Sequence, residues 1–227
     1  MRNRGLVAIR GAGDIATGTV VRLFKAGFFV VALEIPDPTV IRRTVSFAKA
    51  VHAGSAVVDG VEAVLVPVFR VALDMATGGR VPVMIDPSCA SIVEQKPVAL
   101  VDAIIAKRNL GTLLSMAPVV IALGPGFLAG KDVHALIETQ RGHDLGRIIF
   151  HGSATEDTRI PGVIDGHGAD RVIHAPFDGR VRIIHDIGPR VYRGEPMLEL
   201  IGKNRTMVVA PFDGVVRGMI REGFVAR

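Results

Sequence analysis

Three stretches of this 227-residue chain carry residues whose types and spacing suit chemistry. The first is Gly11-Ala12-Gly13-Asp14-Ile15-Ala16, a G-x-G-x-x-A pattern. Gly11 permits a tight turn, Gly13 lets a phosphate approach the backbone, and Ala16 allows a helix to pack closely on its strand. The N-terminus of that helix offers free N–H groups and a partial positive charge. Glu34 closes the next apolar run, where dinucleotide-binding folds place an acid on the ribose hydroxyls. Asp14 suits a helix cap but would repel a phosphate held nearby. The second stretch is Val119–Leu123 leading into Gly124-Pro125-Gly126-Phe127, small residues at another strand end, where open α/β sheets bind ligands. The third is Glu138 with Arg141-Gly142-His143-Asp144. Arg141 has the geometry to clamp an anion and His143 to shuttle a proton. The same spacing fits a helix C-cap, with Gly142 at the cap, and slightly favours it.

The remaining candidates are thinner. Asp86 and Cys89 follow a strand and could face the same cleft, although a lone cysteine usually behaves as a small buried hydrophobe. With one cysteine, neither an intrachain disulfide nor a cysteine-based metal site is available, and a reducing cytoplasm is the expected setting. Arg42-Arg43 suits either an anionic ligand beyond the second strand or solvent. The seven histidines are dispersed without a ligand-pair spacing, so no protein-bound metal is expected. The net charge is +5 and the pI near 9.9, but the basic residues are scattered. Tryptophan is absent and there is a single tyrosine, which leaves few stacking platforms for nucleic acid. A small anionic ligand accounts for the basicity as well. Mean hydropathy is +0.40. Yet the most apolar stretch, Ala117–Gly130, is interrupted by Pro118, Gly124, Pro125 and Gly126, short of the roughly 20 residues a spanning helix needs. Leu6–Ile9 is too short for a signal peptide. No membrane association is expected.

Positioning these residues takes a set of alternating elements. Leu6–Arg10 reads as a buried strand, Asp14–Ala26 as a helix ended by Gly27, and Phe28–Ile35 as a second strand, together a βαβ unit. Pro36-Asp37-Pro38 is a loop, and Ile41–Ala53 reads as helical. Ala56–Val58 and Val61–Val68, joined by Asp59-Gly60, read as a hairpin. Phe69–Thr77 is a helix, Val81–Ile85 a strand, Pro97–Lys107 a helix, and Val119–Leu123 a strand. Val133, Leu136 and Ile137 mark a helix running to about Arg141. This alternation predicts an α/β fold with a Rossmann-like, mostly parallel sheet over residues 1–150.

From about Gly146 helical periodicity gives way to short Val/Ile runs among Gly, Pro and Asp, which predicts a β-rich domain over 151–227. Ala175-Pro-Phe-Asp-Gly179 recurs as Ala210-Pro-Phe-Asp-Gly214, 35 residues on, each followed by x-Val-Arg, and Gly188 aligns with Gly223. From about Arg171 onward this resembles the biotinyl/lipoyl barrel-sandwich domain, a small all-β fold of two quasi-symmetric halves. Lys203 sits near the place of the modified lysine in the carriers. Its neighbours are Gly202 and Asn204 instead of methionines or an acid, so an unmodified, solvated lysine is expected. The second half-repeat stops before the counterpart of Val191–Leu200. The expectation is a barrel cut short, left open or completed by a partner.

Four segments together resemble the YqeB family: Arg10-Gly-Ala-Gly-Asp-Ile-Ala-Thr-Gly18, Pro38-Thr-Val-Ile-Arg-Arg-Thr-Val-Ser-Phe47, Ala122-Leu-Gly-Pro-Gly-Phe127 and Glu138-Thr-Gln-Arg-Gly-His-Asp-Leu-Gly-Arg147. The resemblance implies an accessory protein of a selenium-dependent molybdenum hydroxylase system. Its Rossmann part is similar to that of the XdhC/CoxI accessory proteins, which implies binding of molybdenum cofactor, as molybdopterin or its nucleotide form, and handover to the hydroxylase apoenzyme. On that view Gly11, Gly13, Ala16, Gly124, Gly126, Arg141 and His143 match family motif positions. The candidate cofactor-binding set is Gly11–Ala16, Glu34, Gly124, Pro125, Gly126, Arg141 and His143, in a cytoplasmic homo-oligomer. No catalytic residue is assigned. Two other readings stay open: an NAD(P)-dependent oxidoreductase, with Glu34 favouring NAD, and a docking scaffold with a relic Rossmann core.

Overall fold

A computed structural model describes residues 4–158 and 160–226. β1 (Leu6–Arg10) is buried on both faces, as a central parallel strand requires. α1 (Asp14–Lys25) buries Ala16, Thr17, Val20, Val21 and Phe24 along one stripe and keeps Arg22 and Lys25 in its last turn. It ends in a Schellman motif: Gly27 takes φ +93°, its N–H donates to Phe24 O, and Phe28 N–H donates to Leu23 O. β2 (Phe29–Glu34) then pairs parallel with β1. α2 (Ala50–Ala53) precedes the hairpin of β3 (Ser55–Val58) and β4 (Val61–Leu65), turned by Asp59 and Gly60 at positive φ. α3 (Phe69–Thr77), β5 (Val81–Ile85), α4 (Ala90–Val93), β6 (Ala99–Asp102), β7 (Val120–Leu123), β8 (Ala135–Ile137) and β9 (Ile148–Ile149) follow.

These strands form one nine-stranded sheet in the order β3-β4-β5-β2-β1-β6-β7-β8-β9. The seven strands from β4 to β8 are parallel, and β3 and β9 run antiparallel at the edges. The chain first builds outward from β1 on the β2 side and then crosses to β6. The order therefore reverses between the C-terminal ends of β1 and β6, the position where open α/β sheets place their crevice. The core gathers Leu33, Ile92, Leu100, Val120, Phe127 and Leu136 around the sheet.

Three expected helices are absent. Ile41–Ala53 is broken into 3-10 turns at Arg43–Val45 and Phe47–Lys49 followed by the single turn of α2. Ser46 between them is extended, because its hydroxyl and the amides of Phe47 and Ala48 are held by the start of α1. Pro97–Lys107 is instead β6 and a loop. Leu100 and Val101 of β6 are buried between β1 and β7, and a short run buried on both faces carries no period that distinguishes strand from helix. Val133–Arg141 is likewise β8 followed by an irregular turn, so the Gly124–Phe127 junction leads into a strand and Gly142 caps no helix.

The chain divides into two compact units: Met1–Pro38 with Val45–Asp157, and Thr39–Thr44 with Thr158–Arg227. The second unit contains β10 (Gly179–Ile183), β11 (Arg190–Val191), β12 (Pro196–Ile201), β13 (Arg205–Val209), β14 (Gly214–Val215) and β15 (Val225–Ala226). They form an antiparallel sheet β13-β12-β10-β15 and a two-stranded one, β11-β14. Both repeat glycines, Gly179 and Gly214, start a strand, and both following valines, Val181 and Val216, are buried in the unit. No helix among the described residues is long and apolar enough to cross a membrane.

Candidate functional site

The switch point between β1 and β6 is closed by a buried ion pair. Arg10, the last residue of β1, and Asp102, the last of β6, lie 3.3 Å apart with side chains 7% and 3% exposed. Arg10 also donates to Thr112 Oγ1 at 2.8 Å, to Leu110 O at 2.7 Å and twice to Pro87 O. Thr112 Oγ1 in turn donates to Asp102 Oδ2 at 2.6 Å, and Ile104 N–H donates to Oδ1. Every nitrogen of the guanidinium is engaged, which is the condition under which a buried charge is tolerated. The network pins the β6–β7 loop over the strand ends. Sequence reasoning passed over it: Arg10 ends a strand legible in the sequence, but Asp102 lies in a stretch whose spacing reads as a helix.

The glycine turn sits beside this loop. Gly11 takes φ +101°, and a Cβ there would meet Ala103 O at 3.2 Å, so glycine is needed for close approach to the protein's own backbone. Ala12 is fully buried. Its N–H donates to Glu34 Oε2 at 2.8 Å. Its carbonyl accepts from Ala48 N–H at 2.7 Å, Ser46 Oγ at 2.9 Å and Thr17 Oγ1 at 3.2 Å. Glu34 accepts a second amide, Ile35 N–H, at 2.8 Å. Burial pushes its carboxyl above the usual value, and the two amide bonds pull it back only in part. The carboxylate expected to hold a ribose thus occupies an anion seat on the turn itself. Gly13 is the N-cap of α1 with no side-chain cap, Gly13 and Asp14 are half-buried, Ile15 is exposed and Ala16 is buried in the helix stripe. The outward part of the turn is therefore Gly13–Ile15.

Gly124, Pro125 and Gly126 follow β7 at the same sheet edge. Their open space is also filled from within: a Cβ on Gly124 would meet Thr139 Oγ1 at 2.7 Å, and one on Gly126 would meet Arg108 N at 2.3 Å. Glu138, at the end of β8, is 4% exposed. Its carboxylate accepts the amides of Thr139, Gln140 and Thr155 at 2.7–2.8 Å. Burial alone would raise its pKa, but these amides together hold it below the usual value. Arg141, Gly142, His143 and Asp144 lie on the exposed turn beyond. That turn follows β8, three strands from β1, or about 14 Å at the usual strand spacing. The structure places the three stretches on one edge without gathering them into a single cradle.

Asp86 caps α4, accepting from Ala90 N–H, Ser91 N–H and the Ser88 and Ser91 hydroxyls. Cys89 is fully buried, and burial pushes its thiol up to about 12, which makes it an unreactive core residue at neutral pH. Arg43 belongs to the second unit, donating to Met219 O and pairing with Asp186. Arg42 also belongs to that unit and lines its cavity. Lys203 is exposed on the turn between β12 and β13. Among the described residues no group of three or more His, Cys, Asp or Glu side chains is placed to hold a metal ion.

No family model matches the chain, and no solved structure matches it. The chain is 51% identical over 218 residues to the uncharacterized protein YqeB of Escherichia coli (strain K12). The match covers 96% of this chain and 40% of that protein, so the chain spans less than half the length of its relative. This identity along almost the whole chain supports the family resemblance carried by its motifs.

Proposed function

We propose that the chain is an accessory protein that holds an anionic cofactor, molybdenum cofactor or a nucleotide form of it, at the C-terminal edge of its large sheet, for handover to a molybdenum hydroxylase. The molybdenum part of this reading rests on the YqeB resemblance. The observation that carries the site is the start of α1: Gly13 heads the helix without a side-chain cap, at the strand end where such sheets bind ligands. The fit to a phosphate is limited to Gly13–Ile15, because Glu34 already takes the Ala12 amide and Ser46–Ala48 cover the Ala12 carbonyl. A terminal phosphate suits that space better than a buried pyrophosphate. The cofactor would supply its own redox chemistry in the recipient enzyme, and this chain's residues bind and release it. Binding without catalysis also agrees with the state of the buried polar groups at the edge, since Arg10, Asp102, Asp86 and Glu138 are committed to internal partners.

Glu34 weighs against the oxidoreductase reading, because a carboxylate facing the glycine turn is not presented to a ribose. Titration of the purified chain with molybdopterin species and with plain nucleotides tests the proposal. Gly13→Asp puts a second carboxylate at the helix start and is expected to weaken binding by about tenfold or more. Equal binding by the variant refutes the site. A fluorescence titration with NADH that saturates below about 1 mM supports the oxidoreductase instead.

A further inference from the structure

The loop between β6 and β7 carries backbone strain at the switch point of the large sheet. Ile105 takes φ +56° and Lys107 takes φ +63°. Ile105 is the one β-branched residue at positive φ among the described residues, a conformation that its crowded Cβ opposes. Such strain persists only where the surroundings enforce it. Arg10 donates to Leu110 O at 2.7 Å, and Thr112 Oγ1 donates to Asp102 Oδ2 at 2.6 Å, so both ends of the loop are fixed. Asn109 Oδ1 accepts the amides of Gly111 and Thr112 at 2.8 and 2.7 Å. Between these anchors Gly11 presses on Ala103–Ile104 and Gly126 on Lys107–Arg108.

The strained residues set where the amides of the loop point. A left-handed residue after one of ordinary φ turns successive N–H groups to one side, the arrangement of backbone nests that hold anions. Ile104-Ile105 and Ala106-Lys107 make two such steps in a row. The first donor of the run is used, because Ile104 N–H donates to Asp102 Oδ1 at 3.2 Å. The amides of Ile105, Ala106 and Lys107 have no partner among the described residues, although Ile105 and Ala106 are half-buried. Charge agrees with a seat for an anion. Lys107 pairs with Asp157 at 2.8 Å, while Arg108 beside it is exposed and has no acidic partner among the described residues. The loop leaves the C-terminal end of β6, one of the two strands that bound the crevice.

We propose that Ile105–Lys107 is a second seat for an oxyanion of the phosphate class, with its backbone amides as donors and Arg108 as the counter-charge. Asp102 reaches the run only at Ile104, and Asp157 is taken by Lys107, so neither carboxylate fills the seat. The seat lies on the β6 side of the switch point, whereas Gly13–Ile15 lies on the β1 side. Together the two fit a ligand with two separate oxyanion groups, such as a diphosphate or a phosphate ester that carries a second acid. The seat rests on its own amides and does not depend on the helix start of α1.

Amide resonances of the intact chain are followed by NMR during titration with inorganic phosphate at constant ionic strength, with chloride as the reference anion. Saturable shifts at Ile105, Ala106 and Lys107 are expected, in the parent and in Gly13→Asp alike. Arg108→Glu changes an exposed side chain and should weaken phosphate binding about fivefold while the melting temperature stays the same. Absence of saturation up to about 10 mM phosphate, equal shifts with chloride, or indifference to Arg108→Glu overturns the proposal. Shifts confined to Gly13–Ile15 also overturn it and leave the helix-start site standing. Shifts at Ile105–Lys107 that survive Gly13→Asp support this seat whatever becomes of the other.

Discussion

Asp102→Ala is the sharpest probe of what holds the sheet edge together. The substitution leaves Arg10, 7% exposed at its side chain, facing a cavity where its counter-charge stood, and strips Thr112 of the acceptor for its hydroxyl. Breaking one side of a buried pair costs about 3–5 kcal/mol, because the remaining charge stays desolvated. Against a typical total of about 5–15 kcal/mol this is roughly a fifth or more of the stability of the sheet unit. For a unit of this size it corresponds to a fall in melting temperature of roughly 6–20 °C. Urea denaturation followed by circular dichroism measures it. Arg10→Met in the Asp102→Leu background provides the decisive control. Replacing both partners with apolar groups of similar volume removes the stranded charge, but Pro87 O, Leu110 O and Thr112 lose their donor too, so stability should recover only part of the loss. A loss below about 1 kcal/mol in Asp102→Ala, or a double variant as weak as the single one, refutes the account of a dry, mutually dependent pair.

Cys89, with its thiol pushed up to about 12 and fully buried, should resist an aromatic disulfide reagent at pH 8 in the folded chain and release one equivalent only in denaturant; rapid titration of the folded chain contradicts this. Glu138 has a folded pKa below its ordinary 4.5, so its stabilising effect is complete above that value and is lost as pH falls through the folded one. Glu138→Gln should therefore flatten the acid limb of the stability profile and speed exchange of the Gln140 and Thr155 amides at pH 7. Gly126→Ala forces a Cβ to within 2.3 Å of Arg108 N at φ +104°, and should destabilise the β7–β8 turn by about 1–3 kcal/mol in the same urea assay.

The elements that could be read locally are those whose signals are local. Asp59-Gly60 demands a hairpin turn, Gly27 a left-handed helix end, and the Ala16–Val20–Phe24 stripe a helix, and each is present. The repeat at 175 and 210 was equally visible, and it returns as reciprocal backbone bonding between two halves. The errors share one cause. Val98–Val101 and Val133–Ile137 are apolar runs of strand length, and their spacing also matches a helical face. What decides them is the strand on either side, which lies far away in sequence. Ile41–Ala53 fails for a related reason: its residues answer to the start of α1 at one end and to Met219 at the other, two demands that no single helix satisfies.

The glycine turn shows why a motif is weaker evidence than its surroundings. G-x-G-x-x-A describes a backbone that something must approach closely, and does not specify what. Here Gly11 admits the β6–β7 loop, Gly126 admits that same loop at Lys107–Arg108, and Gly124 admits Thr139. Three glycines that suggested ligand contact admit protein. The anion that the turn prefers is also supplied internally, as Glu34 on the Ala12 amide. Its raised pKa follows, since a carboxylate in a half-buried seat with two amide donors remains short of the solvation it had in water. A phosphate arriving at Gly13–Ile15 would meet Glu34 and Asp14 close by, so the proposed site must bind with help from protonation of Glu34 or from displacement of its carboxylate. Binding should therefore strengthen as pH falls toward Glu34's elevated pKa, and Glu34→Gln should bind more tightly than the parent at pH 7 and lose most of that dependence. A parent chain whose affinity for molybdopterin species does not change as the pH is lowered from 8 to the ordinary carboxylate range would place the ligand away from the glycine turn.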